Sequence, residues 1–207
     1  MALTLRVVVA IVSVSVLATS CLFVKAPDQQ VTVENVALSP KPEIEMSDEL
    51  VRTRTGDMIA LLPKGWFFLD TKGQESSDIF AVAVNPDYTV SAVFASIPNS
   101  ESSKEMLEKE GVLGLARASF NKHARKTANS TKLIGTYSTA ELGPRRFGCY
   151  EFSINGGSMR TRCAVFTSSL GNHYEFALVP MTVSGKDLLP DAEHVKIFRS
   201  ILATTQY

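Results

Sequence analysis

The familiar signatures of catalysis are missing from this chain. It has no Gly-x-Ser-x-Gly nucleophile elbow, no His-Glu-x-x-His pair, no phosphate-binding P-loop and no dinucleotide fingerprint. Gly156-Gly157-Ser158 is no elbow either, because it lies between two strands that read as a hairpin. A charge surplus is also missing. Lys+Arg and Asp+Glu both total 21, which argues against nucleic acid, whose phosphates call for a basic excess or stripe. Histidine and cysteine are scarce, three of each, and there is one tryptophan. No repeat with a period of about 20–50 residues is visible, which excludes a solenoid or propeller.

What is present begins with an address. Arg6 is the only charge before Lys25, and Val7–Ala18 is an apolar block of twelve residues softened by Ser13 and Ser15. That is the layout of an export signal, with a positive start, an apolar run of about 7–15 residues and small residues at a cut. Leu17-Ala18-Thr19-Ser20-Cys21 resembles the lipobox of bacterial lipoproteins. There, small residues precede a cysteine whose thiol takes a thioether-linked diacylglycerol. The reading is a signal peptide at residues 1–20, lipid attachment at Cys21, and a tether through residue 51. Two alternatives remain: ordinary cleavage after Ala18-Thr19-Ser20, and a retained anchor. The uncharged run Val7–Val24 has eighteen residues, against about 20 for a spanning helix. All three place the folded part outside the cytoplasm, ordinary cleavage as a free secreted protein and the lipoprotein reading in a bacterial cell envelope. The lipoprotein reading puts it on an outer membrane or cell surface.

Residues 21–51 read as a flexible segment. "ALSPKPEIEMSDEL" is acidic, carries two prolines and has no helical or strand period. Val31–Leu38 alternates briefly and can add an edge strand.

A single domain is expected over residues 52–207. Two short strands flank Pro63-Lys64-Gly65. Strands follow at Asp78–Pro86 and Thr89–Pro98, joined by a turn. Ser102-x-x-Glu105 has the capping-box spacing and opens a helix to about Lys126, weakened at Gly111 and Gly114. Four strands then run through residues 132–142, 145–154, 159–170 and 173–181. A closing helix spans about Pro190–Leu202. A two-residue Gly171-Asn172 turn would put Val165, Phe176 and Leu178 on one face and Ala164, Phe166, Ala177 and Val179 on the other. Both faces are then apolar and both need cover. The expectation is an α+β fold: an antiparallel sheet of about six to seven strands with helices on its faces.

The order of elements and the "LLPKGWFFLD" corner, with Pro63, Gly65 and Trp66, resemble the PsbP-like fold family, which includes DcrB-like bacterial lipoproteins. The resemblance covers about residues 52–204. It implies a non-enzymatic accessory or binding module. No metal-ligand motif of that family is found to carry over, and no cofactor is expected.

Few residues suggest chemistry. His173 and Glu175 share a strand face and could seat a metal or form a base–orienter pair for a hydrolase. Cys149 and Cys163 form an even pair in an oxidising compartment. A three-residue hairpin loop would bridge them. A two-residue loop would set Glu151 opposite Arg160 and put the cysteines on opposite faces, so the pairing stays open. Arg145, Arg146, Arg160 and Arg162 cluster around that hairpin as a candidate partner-binding face. The function expected is a membrane-anchored, non-enzymatic module recognising an envelope protein. The alternatives are a carrier of a small apolar ligand or lipid, and the His173/Glu175 hydrolase.

Overall fold

The computed structural model of the protein describes residues 34–70, 78–127, 130–154, 156–157 and 159–207. All belong to one compact unit, Thr32–Tyr207. The leader, Cys21 and Asn155 lie outside the described residues.

Among the described residues, ten strands and three helices follow in order. They are β1 (Glu34–Ala37), β2 (Met46–Arg52), β3 (Ile59–Pro63), β4 (Phe67–Phe68), β5 (Ile79–Val84), β6 (Val90–Ile97), α1 (Glu101–Glu110), α2 (Val112–Lys126), β7 (Thr131–Leu142), β8 (Arg145–Ile154), β9 (Thr161–Thr167), β10 (His173–Pro180) and α3 (Asp191–Thr204). Eight strands form one sheet in the order β1-β7-β8-β9-β10-β6-β5-β4, and β2 pairs β3 in a separate ribbon. The sheet therefore exceeds the six to seven strands expected. Its edges are short, β1 and the two-residue β4. Every pairing is antiparallel except β1 with β7.

The domain boundary expected at residue 52 is also corrected. β1 and β2 lie inside the segment read as a tether. β1 is a largely exposed edge strand whose ladder partner, β7, is about 100 residues away. It falls within Val31–Leu38, the stretch whose brief alternation allowed an edge strand.

The Pro63-Gly65-Trp66 corner forms as read. The Trp66 amide donates to the Pro63 carbonyl at 3.2 Å, Gly65 has φ +82°, and the indole is buried in the core. The expected single long helix is instead two, broken at Gly111, which has φ +62°. Its cap is Ser100 with Ser103, three residues on, rather than Ser102 with Glu105. The Ser100 hydroxyl accepts from the Ser103 amide at 3.2 Å, and the Ser103 hydroxyl accepts from the Ser100 amide at 3.0 Å.

Both faces of the sheet are covered. On one, Phe94, Phe147, Phe166, Phe176 and Leu178 pack under α3 and the β2–β3 ribbon. On the other, Tyr150, Phe152, Cys163, Val165 and Ala177 lie under Leu115 and Ala116 of α2. The helix comes down on bare backbone at Gly148, where a Cβ would stand 2.4 Å from the Val112 carbonyl oxygen. The face assignment differs from the expected one. Phe166 pairs Tyr174, and Val165 pairs Glu175. The turn is longer than two residues, closed by the Ser168 amide on the Asn172 carbonyl at 2.8 Å. That changes the parity of the pairing, so Phe176 and Leu178 join Ala164 and Phe166, while Ala177 and Val179 join Val165.

Candidate functional site

Strand alternation turns Glu175 of β10 toward α2. Ser119 and His123, four residues apart on α2, point back at it. Glu175 is 7% exposed. His123 Nε2 lies 2.8 Å from Glu175 Oε1, and the Ser119 hydroxyl donates to Oε2. The Tyr150 hydroxyl reaches both Ser119 Oγ and Glu175 Oε2 at 3.1 Å. Burial pushes the Glu175 carboxyl up, but His123, Ser119 and Tyr150 together hold it below the usual carboxylate range. Cys163 completes the cluster; burial, then the Glu175 charge, pushes its thiol well above the ordinary value.

The arrangement is the wrong way round for a nucleophile. Activating Ser119 would need the imidazole beside its hydroxyl. Here the carboxylate stands between the two. The expected His173–Glu175 pairing is not made. Residues two apart on a strand are roughly 6–7 Å apart, and His173 Nδ1 bonds Thr167 Oγ1 at 2.9 Å. His123 takes Glu175 instead.

Beside this cluster a cleft of about 230 Å³ opens. Its walls are Val93, Ala95, Ile97, Phe152 and Ala177; His123 and Glu175 lie at its polar end, and Lys122 and Lys126 border it. The cleft exists because α2 packs chiefly on β7, β8 and β9. That leaves Ile79, Val93, Ala95 and Val179 of β5, β6 and β10 half-exposed. Lys122 is held by Asp78 at 2.7 Å.

The four arginines do not form one face. Arg162 is 4% exposed and contacts Glu151 at 3.0 Å, Asp191 at 2.7 Å and His194 Nδ1 at 2.6 Å. It joins β9 to β8 and α3. Glu151 is opposite Arg162, not Arg160. Arg145 donates to the Thr205 carbonyl, and Arg146 pairs Glu141 at 3.2 Å. These two begin β8, whereas Arg160 precedes β9 beside the far end of β8. Six residues of strand separate Arg146 from Phe152, roughly 20 Å. Only Arg160 is both exposed and beside Arg162, where they line a cavity of about 420 Å³ with Asp191 and His194.

Cys149 and Cys163 are free and on opposite faces. Cys163 pairs Tyr150, and Cys149 pairs Ala164. This is neither hairpin register weighed above, and it corrects the possible disulfide. Burial pushes the Cys149 thiol up to about 12.

Asp57 is a further polar hub that the sequence did not reveal. It accepts from Thr53 and Tyr174 at 2.8 Å each and from Asn172 at 3.0 Å, with Ser168 and Thr55 closer still. It locks the β2–β3 turn to the β9–β10 turn. Burial alone would raise its carboxyl, yet these donors hold it well below the usual range.

His194 is 5% exposed. Arg162 can only donate, so His194 Nδ1 accepts and Nε2 carries the proton. That Nε2 is buried without a hydrogen-bond partner. Burial, then Arg162, pushes the imidazole down to about 4. An unfolded histidine takes its proton near pH 6.5. Folding stability from this group is therefore fully present above about pH 6.5 and is lost as pH falls toward 4, by about 3 kcal/mol. Urea unfolding across that window should show the loss in the wild type and a shallower slope in His194→Asn. Equal slopes would remove His194 as the cause.

Ser119, His123 and Tyr150 were not recognised as a group from sequence. Their one signal was polar residues interrupting buried stripes. Ser119 and His123 fall three residues after Ala116 and Phe120, respectively, of the apolar face of α2.

These features define a class: an α+β module with cover on both faces of one sheet, a small apolar cleft, and buried polar clusters that tie elements together. No family model matches the sequence, and no curated protein matches it. Solved structures do. The solution structure of cyanobacterial PsbP (CyanoP) from Synechocystis sp. PCC 6803 is 15% identical, covering 77% of this chain and 92% of that one, with a TM-score of 0.54. The Ran-binding protein Mog1p of Saccharomyces cerevisiae is 13% identical over 78% of this chain and 96% of that one, at 0.47. A Bacteroides thetaiotaomicron structure is 12% identical over 76% of this chain and 47% of that one, at 0.40. This chain thus spans about half the length of the Bacteroides chain. The protein has the PsbP-like fold, as the corner motif and element order implied.

Proposed function

We propose that the protein is a lipid-anchored, non-enzymatic binding or accessory module of a bacterial cell envelope, and that it recognises a protein partner. The observation that carries this reading is the half-exposed apolar strip of β5, β6 and β10 beside α2, ending in a cleft with lysines at its border. The cleft, at about 230 Å³, is smaller than the roughly 300–1,000 Å³ of small-molecule sites. It suits one apolar side chain of a partner better than a whole lipid. The Ser119–Glu175–His123 order supports a non-enzymatic role, and the lipobox-like stretch before Cys21 supports the anchor. Among the described residues no helix is long and apolar enough to cross a membrane.

The test is a photo-crosslinking residue at Ala95 or Val179 in the native host. It should yield one discrete protein adduct, lost in Lys122→Glu/Lys126→Glu. Intact-mass analysis should find residues 1–20 removed and Cys21 acylated. Absence of an adduct, or one indifferent to the lysine changes, would refute the docking face. A bare Cys21 would refute the anchor. The second reading, a small apolar ligand carrier, rests on the same cleft and would show as a co-purified small molecule in native mass spectrometry.

A further inference from the structure

We propose that His123, Cys163 and Glu175 form a binding site for a thiophilic divalent cation of the zinc class, with its fourth position open to the cleft. The inference is independent of the partner-binding reading.

The three residues come from α2, β9 and β10, and one ligand atom from each lies within 4.8 Å of the others. A tetrahedral zinc centre, with bonds of about 2.0–2.3 Å, holds its ligand atoms roughly 3.3–3.6 Å apart. The observed spacing, including 2.8 Å between His123 Nε2 and Glu175 Oε1, comes within reach of that geometry by small side-chain rotations. The donor set is itself selective. One thiol, one imidazole and one carboxylate suit zinc or cobalt, whereas magnesium and calcium take oxygen ligands.

The surroundings are arranged as outer-shell support. Ser119 and Tyr150 both donate to Glu175 Oε2, which leaves Oε1 to face His123. That fixes the carboxylate before any cation arrives. The His123 ring lies 5.1 Å from the Phe152 ring, tilted by 30°, so its swing is limited. Lys122, next to His123 in sequence, is paired with Asp78 at 2.7 Å. His123 and Glu175 also line the cleft, which supplies an entry path and room for water or a partner's donor as the fourth ligand. Binding would release the Cys163 proton to solvent, leaving the sulfur as a metal-bound thiolate.

The test is titration of cobalt(II) into the full chain, reduced with a phosphine and kept free of oxygen. The expected result is a thiolate-to-cobalt charge-transfer band in the near ultraviolet with the intense visible bands of a four-coordinate centre, all bleached by zinc. Cys163→Ser should abolish the charge-transfer band, while Cys149→Ser and Cys21→Ser should keep it. His123 is half-buried at a helix end, so His123→Gln should fold even where Cys163→Ser does not. It should weaken cobalt binding by at least about 100-fold. No band in the wild type, a band surviving Cys163→Ser, or unchanged affinity in His123→Gln would each overturn the proposal.

Discussion

Arg162→Ala is expected to destabilise the fold by about 3 kcal/mol, and Arg160→Ala by less than about 0.5 kcal/mol. Two residues apart in sequence, these arginines sit in opposite situations. The Arg162 side chain is 5% exposed and serves Glu151, Asp191 and His194 at once. Truncating one member of a buried charge group costs about 3–5 kcal/mol, because the partners are left uncompensated. Here the lower end applies. Asp191 and Glu151 are 64% and 33% exposed, so water can replace the guanidinium for both. His194 cannot be rescued that way, since it is buried and already lacks a partner on Nε2. In a chain of this size the loss corresponds to roughly 6–12 °C in Tm. Urea unfolding of both variants checks it. Equal destabilisation would show that Arg162 is no cross-link. The result also bears on function, because an arginine holding β8, β9 and α3 together is not available to a partner.

Phe176→Ala should cost about 4 kcal/mol. Phe176 is fully buried at the centre of β10, stacked 5.0 Å from Phe94 and 5.3 Å from Phe198 of α3. Its removal withdraws an aromatic ring from water-free surroundings and leaves a cavity between a strand and a helix. The sheet is held rigid by its ladders, so collapse is limited. The lost transfer energy of about 1.5–3 kcal/mol is then increased by the cavity. Phe176→Leu fills most of the space and should cost about half as much or less. Phe68, 41% exposed, is the control, with Phe68→Ala near zero. Thermal and urea unfolding of the three variants should preserve that order. A Phe176→Ala loss below about 1 kcal/mol would mean that α3 does not depend on this stack.

The sheet strands were largely legible because strand alternation and turn residues are local signals. Thr89–Pro98 and residues 173–181 are apolar runs bounded by turn residues, and both are strands close to the expected bounds. The edges were less legible. Val31–Leu38 alternates only briefly, and the ladder with β7 is what makes Glu34–Ala37 a strand. The capping box was misplaced by two residues because Ser100, Ser102 and Ser103 all offer a hydroxyl there, and local pattern cannot rank them.

The site was half-legible. Glu175 was singled out with the wrong histidine. His173 is near it in sequence, whereas His123 is near it in space, delivered by a helix lying across the strand. Arg162 and Arg160 looked equivalent for the same reason.

From the chain alone came the α+β class, the two-faced apolar strands and the Pro63-Gly65-Trp66 corner, each written in short-range spacing. Tertiary structure alone decided the cysteine separation, the Glu175–His123 contact, the burial of Arg162 and the open cleft. Those depend on how many residues each turn absorbs and where a helix lands on a sheet. One residue of turn length reverses every side chain on a strand, and that count is settled by packing between distant segments.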